Sequence, residues 1–192
     1  MNTIVFAGDS ITDCDRREDP AGLGDGYVRL LADKVGGAAR VLNRGISGNS
    51  SRDLRDRWES DVLAERPTLV SVLVGINDTW RRYDSGAVTT AAEFEANYRA
   101  LLEPLAGVRI VLIEPFLLPV RAQQVTWRED LEPKLQVVRK LAADYDAALV
   151  PADAALREAG PAAEVAPDGI HPSVWGHELL ATLWLEHAKV QP

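Results

Sequence analysis

Four short segments of this 192-residue chain carry side chains of a kind that does chemistry. Ser10 lies in Gly8-Asp9-Ser10-Ile11-Thr12-Asp13 and Gly48 in Gly45-Ile46-Ser47-Gly48-Asn49. Asn77 lies in Gly75-Ile76-Asn77-Asp78, and the fourth segment is Asp168-Gly169-Ile170-His171-Pro172. Such a set can perform acyl transfer, which needs a nucleophile, a base, a group that orients the base, and donors for a tetrahedral oxyanion. A serine hydroxyl is too weak an acid at neutral pH to attack an ester unaided, so His171 is the expected proton acceptor for Ser10. Asp168, three residues before His171, can accept the imidazole N–H and stabilise the imidazolium that forms. The expected oxyanion donors are the backbone N–H groups of Ser10 and Gly48 and the side-chain amide of Asn77. Glycine lets backbone approach a ligand closely, and an amide donates two hydrogen bonds without carrying charge.

Each of these residues also has a plainer role when taken alone. Ser10 could cap a helix, Gly48 could form a turn, and Asn77 with Asp78 could cap or turn the chain. Asp168 could form a turn with Gly169, and His171 could lie on the surface. Function is favoured because the segments must coincide at the ends of successive strands of one sheet.

The elements that would position them follow from the apolar pattern. The runs Thr3–Ala7, Arg40–Asn43, Leu69–Val74, Arg109–Ile113 and Ala147–Val150 are short and rich in Val, Ile and Leu, which predicts buried parallel strands. Helical periodicity covers Tyr27–Val35, Arg52–Leu63, Ala92–Leu105, Leu131–Tyr145 and Ser173–His187. This alternation predicts a doubly wound α/β sheet. Two segments, Asp13–Asp25 and Pro115–Asp130, read as long irregular loops. In an open sheet of this kind ligands sit beyond the carboxyl ends of the strands, where the four segments fall.

Together the four segments resemble the blocks of the GDSL, or SGNH, hydrolases, named for a Ser, a Gly, an Asn and a His. Ile11 stands where the name-giving motif has Leu. The chain order Ser, Asp, His also occurs in α/β-hydrolases, but no Gly-x-Ser-x-Gly elbow is present. Further segments resemble the bacterial intracellular acetylxylan esterases of this superfamily: Asp9-Ser10-Ile11-Thr12-Asp13-Cys14, Gly24-Asp25-Gly26-Tyr27-Val28, Arg57-Trp58, Gly75 through Arg81, and Glu114-Pro115-Phe116. The resemblance implies a flavodoxin-like three-layer sandwich with a five-stranded parallel sheet. It also implies a serine esterase that needs no metal or cofactor, acts on a small acyl ester or acetylated oligosaccharide, and forms a homo-oligomer.

Trp80, Tyr83 and Trp127 are candidate substrate-binding residues, because aromatic rings stack on the C–H faces of sugars. The alternative for Trp80 and Trp127 is a place in the core or in a subunit contact. Asp9, beside the nucleophile, shapes the turn there and is grouped with these contacts. No long apolar stretch resembles an acyl tunnel, which favours a short acyl group such as acetyl. His177, His187 and Cys14 read as structural. His177-Glu178 opens like a zinc-protease helix, but position 181 is Ala, so the second histidine is missing. Rival functions are a lysophospholipase or thioesterase of the same superfamily and a flavodoxin-like phosphate-binding module. Neither a Gly-x-Gly-x-x-Gly nor a Walker A sequence supports the latter.

Composition narrows the field from the other side. With 29 acidic and 21 basic residues the net charge is −8, which argues against a nucleic-acid binder. A hydrophobic content of 46% excludes disorder, and the lone Cys14 excludes an intrachain disulfide framework. No apolar run approaches the roughly 18 residues of a membrane span, and no leader-like segment opens the chain. The expectation is one soluble cytoplasmic domain over 1–192, with no membrane partner.

Overall fold

The computed structural model describes residues 2–188. The two ends of the expected 1–192 domain, residue 1 and residues 189–192, lie outside the described residues. Five strands, β1 (Asn2–Gly8), β2 (Ala39–Gly45), β3 (Leu69–Leu73), β4 (Arg109–Ile113) and β5 (Ala148–Val150), form one parallel sheet in the order β2-β1-β3-β4-β5. The order reverses between β1 and β3, which is where doubly wound sheets open a crevice. Register matters as much as order. Gly8 pairs with Gly45 on one side and Leu73 on the other, so the segments after β1, β2 and β3 leave the sheet at one level.

Side chains alternate across the sheet and fill two cores. Ile4 and Phe6 face Tyr27, Val28 and Leu31 of helix α2 (Tyr27–Val35) and Leu180 and Trp184 of α10 (Val174–Ala188). On the opposite face Val5, Val70 and Val72 meet Leu54 of α3 (Ser51–Asp56), Trp58 of α4 (Trp58–Asp61), and Tyr98 and Leu101 of α6 (Ala91–Leu102). Each such side chain contributes about 1.5–3 kcal/mol on burial. Helix α7 (Ala122–Asp144) spans both cores, with Leu131 and Leu135 in the first and Val138 and Leu141 in the second. The result is the expected three-layer α/β sandwich.

Several elements differ from their predicted extents. The predicted helix Arg52–Leu63 is broken at Arg57 into α3 and α4 and ends in a 3₁₀ turn, Leu63–Glu65. The predicted loop Pro115–Asp130 is irregular only to residue 121; α7 then runs 23 residues with Pro133 inside it. Proline there removes one backbone donor, and buried Leu131 and Leu135 on either side hold the helix regardless. Three short helices have no counterpart in the pattern: α1 (Ser10–Asp13), α8 (Ala152–Ala159) and α9 (Ala162–Val165). Helix α5 (Ile76–Asp84), which carries Asn77, was also absent from it.

Candidate active site

Ser10 opens the single-turn helix α1. Asp9 is its N-cap: Asp9 Oδ1 accepts from the Ile11 N–H at 3.1 Å, so the capping role considered for Ser10 belongs to its neighbour. This frees the Ser10 hydroxyl, which lies 2.9 Å from His171 Nε2. His171 Nδ1 lies 2.6 Å from Asp168 Oδ2, and Asp168 Oδ1 accepts the N–H groups of Ile170 (2.9 Å) and His171 (2.8 Å). Partial burial alone would raise the Asp168 pKa. The hydrogen bonds from the His171 ring, its backbone and Ile170 outweigh that and hold it below its ordinary 3.8. Asp168 is therefore an acceptor only. Nδ1 must carry the imidazole proton, and Nε2 presents its lone pair to Ser10 O–H.

The turn after β2 is stitched to α1. The Ile46 N–H donates to the Gly8 carbonyl (3.0 Å) and the Ser47 N–H to Asp13 Oδ2 (2.8 Å). Asn43 Nδ2 donates to the Thr12 (2.6 Å) and Leu23 (2.7 Å) carbonyls, which also ties down the irregular 13–25 segment. Gly45 admits this approach: a Cβ there would sit 2.2 Å from the Asp13 nitrogen. Gly48 has a different reason for being glycine. The space where its Cβ would stand is open, and its φ of +80° is what disfavours a side chain.

Asn77 comes from the first turn of α5. It is 7% exposed, and one amide hydrogen goes to the Asn49 carbonyl at 3.0 Å, leaving the second to point elsewhere. Arg81, one turn along α5 and on the same face, donates to the Gly48 carbonyl at 2.6 Å and to Asp53 at 3.0 Å. Asp78 is buried and receives the Ser51 N–H (2.8 Å) and hydroxyl (2.6 Å), so it anchors α3 to α5.

Two depressions flank the Ser10–His171 pair. One, of about 250 Å³, is lined by Ser10, Asp13, Ser47, His171, Pro172 and His177 among others. The second, of about 230 Å³, has Trp80, Tyr83, Trp127 and Asp168 in its wall. Trp80 stands edge-on to His171 at 6.5 Å between ring centroids, and Tyr83 stacks on Trp127 at 5.3 Å. Trp80 and Tyr83 are half-buried, whereas Trp127 is only 6% exposed and packs in the first core. Trp127 thus packs in the core and also closes the wall of the second cavity.

Asp9 requires a correction. It is 0% exposed and cannot touch a substrate; Oδ1 caps α1, and Oδ2 has no partner among the described residues. Burial, with the Asp78 charge adding to it, pushes its pKa from 3.8 up to about 7. A carboxyl raised in the folded state stabilises that state fully below about pH 3.8, and the contribution is lost as pH rises toward 7. Asp9→Asn keeps the cap and cannot ionise. Its stability relative to wild type should therefore rise by up to about 4 kcal/mol between pH 4 and pH 8 in urea unfolding. A difference that does not change with pH would mean that Asp9 does not titrate in this window.

His177 and Cys14, expected to be structural, both line the cavity of about 250 Å³ beside Ser10. His177 Nδ1 accepts the Tyr27 N–H at 3.2 Å, and burial lowers its pKa to about 4. Its Nε2–H therefore faces Cys14 Sγ at 3.5 Å as a donor. The thiol donates in turn to Asp25 Oδ1 at 3.0 Å, and burial, reinforced by Asp25, pushes its pKa up to about 12. The fixed tautomer is the physical reason that Cys14 has no base. The pattern missed Asp13, Ser47 and His177 as cavity residues: Asp13 ends the same helical turn that Ser10 begins, the register of β1 and β2 brings in Ser47, and α10 brings in His177. No group of three or more His, Cys, Asp or Glu side chains suited to a metal ion occurs among the described residues, and none of their helices is long and apolar enough to cross a membrane.

Residues 6–179 match the GDSL-like Lipase/Acylhydrolase family. An acetylxylan esterase from Geobacillus stearothermophilus is 39% identical over 202 residues, covering 95% of this chain and 91% of the relative. The crystal structure of that organism's acetylxylan esterase Axe2 superposes with a TM-score of 0.88 at 37% identity, covering 99% of this chain and 95% of the other. Its variants described as catalytic mutants replace a serine, a histidine and an aspartate by alanine. A protein from Parabacteroides merdae described as a GDSL-like lipase superposes with a TM-score of 0.92 at 35% identity, covering 99% and 96% of the two chains.

Proposed function

We propose that this chain, which belongs to the GDSL-like lipase/acylhydrolase family, is an esterase that removes acetyl groups from short xylo-oligosaccharides or related sugars. Ser10 attacks the acetyl carbonyl while His171 Nε2 takes its proton, and Asp168 stabilises the imidazolium. The N–H groups of Ser10 and Gly48 and the free Asn77 amide hydrogen receive the oxyanion. Collapse breaks the bond to the sugar oxygen, which leaves with the proton from His171. Water, deprotonated by the same imidazole, then attacks the acetyl-serine and releases acetate, restoring Ser10. The observation that carries this is the relay from Ser10 through His171 to Asp168, at 2.9 and 2.6 Å, opening on a cavity of about 250 Å³. The wall of that cavity includes Asp13, Asp15, Ser47 and His177, a polar lining that suits an acetyl group better than a fatty acyl chain, and the 39% identity to an acetylxylan esterase agrees. Trp80 and Tyr83 are positioned to stack on the sugar, with Trp127 supporting them from beneath. The lone thiol of Cys14 suits a reducing cytoplasm, where the substrate would arrive as an imported oligomer.

A series of p-nitrophenyl esters tests acyl size. The specificity constant should be highest for acetate and fall about tenfold or more by octanoate, because even one methylene that the site cannot accommodate costs about 1–3 kcal/mol. An optimum at octanoate or longer would replace this function with that of a lysophospholipase or thioesterase. Acetate release from acetylated xylo-oligosaccharides, set against acetylated glucosides, then tests the sugar.

A further inference from the structure

Arg57 stands outside the steps above, yet its side chain joins the segments whose relative position those steps need. It sits at the break between α3 and α4, and its side chain is 14% exposed. Nη2 donates to the Gly8 carbonyl at 3.0 Å, two residues before Ser10. Nη1 donates to the Arg44 carbonyl at 2.8 Å and to Asp61 Oδ2 at 3.0 Å. Nε donates to Asn49 Oδ1 at 2.7 Å, and the carbonyl of that same Asn49 is what orients the Asn77 amide. One planar guanidinium thus spans the end of the nucleophile strand, the last turn of β2, and the far side of the Gly48 turn.

We propose that Arg57 is a positioning residue that sets the distance between Ser10 and the oxyanion donors of Gly48 and Asn77. It touches none of the reacting atoms, and its role rests on the acyl-transfer function proposed above. The bond set explains why arginine is needed. A guanidinium offers five N–H donors in a fixed plane, whereas an ammonium offers three at a single point and cannot span acceptors on three segments.

Because a misplacement of about 1 Å at a reacting centre costs about 10²-fold in rate, Arg57→Ala should lower kcat for p-nitrophenyl acetate by about 10- to 100-fold. KM should stay within about threefold, since no substrate contact is removed. Rates are expressed per active site, counted by titration with a serine-directed organophosphate, so that loss of folded protein does not register as lost kcat. Added guanidinium ion should restore part of the rate to Arg57→Ala and none to wild type, while Arg57→Lys should remain slow. Should Arg57→Ala fail to fold, Asn49→Ala removes only the Nε contact and should lower kcat by about threefold or more. Undiminished kcat per titrated site in Arg57→Ala, or in Asn49→Ala where the former does not fold, would overturn the role of Arg57. So would a loss confined to KM. Wild-type protein inert toward every acyl ester would instead remove the proposed function itself.

Discussion

Replacing Ser10 by alanine should lower kcat for acetyl-ester hydrolysis by about 10⁴- to 10⁶-fold, a barrier raised by about 5.5–8 kcal/mol. The expectation is sharp because the hydroxyl has one hydrogen-bond partner among the described residues, His171 Nε2, and no part in holding the fold. The cap of α1 comes from Asp9, so the variant should keep its melting temperature and its affinity for an acetylated oligosaccharide. A small residual rate should remain, because the proposed donors, the backbone N–H groups of positions 10 and 48 and the Asn77 amide, would still receive the oxyanion of a water attack. Cys14 cannot take over, although it lines the same cavity. Burial and Asp25 hold its thiol near pKa 12, and its histidine neighbour offers a proton where a base is needed. Stopped-flow hydrolysis with calorimetric binding on the same preparation separates the two parameters. A variant that retained more than about a hundredth of the rate with normal affinity would exclude Ser10 as the nucleophile.

The sheet and the segments that end its strands were legible in the sequence for a simple reason. A parallel strand buried on both faces must be a short run of Val, Ile and Leu, and whatever follows it must sit at the crevice. Ser10, Gly48 and Asn77 therefore announce their neighbourhood by position, whereas α8 and α9 stand between β5 and the Asp168–His171 pair. What the pattern could not carry were side chains whose place depends on register or on distant elements. Asp9 reads as a polar neighbour of the nucleophile, and only the packing beneath β1 and β3 turns it inward, where burial leaves it protonated to about pH 7. His177 reads as one histidine on a helix; its role at the cavity wall depends on α10 folding back over α2, 150 residues away in sequence from Tyr27. The loop reading of Pro115–Asp130 erred in the opposite direction. Pro133 already lay inside the predicted helix, but Gln124, Trp127 and Asp130 are too sparsely apolar to show the buried face they form, so α7 begins nine residues before the predicted start, at Ala122 instead of Leu131. The Arg57-Trp58 pair was visible as a motif, but a motif gives no hint that a guanidinium will reach three separate carbonyl and amide oxygens on converging segments.

Asp168→Asn should lower kcat by about 10⁴-fold while leaving the site's geometry almost unchanged, because the damage is to a tautomer. The carboxylate makes two kinds of bond. Oδ1 receives the backbone N–H groups of Ile170 and His171, and Oδ2 receives the ring N–H of His171. An amide in its place keeps the first pair through its oxygen and sets an NH₂ group against Nδ1. Two donors cannot share that 2.6 Å contact, so the ring moves its proton to Nε2 and meets Ser10 as a donor. The base is then lost even though no atom has moved far. Asp168→Ala behaves differently in both respects. It removes the two backbone bonds, so it should be the less stable protein, yet water at the vacated position can still receive the ring N–H and preserve the working tautomer in part. The expected order is therefore inverted between the two measurements: Asp168→Asn is the more stable variant and is no faster than Asp168→Ala. Thermal unfolding and kcat on the same two proteins read both quantities. If Asp168→Asn kept more than about a tenth of wild-type kcat, the orientation of His171 would have to come from some group other than this carboxylate.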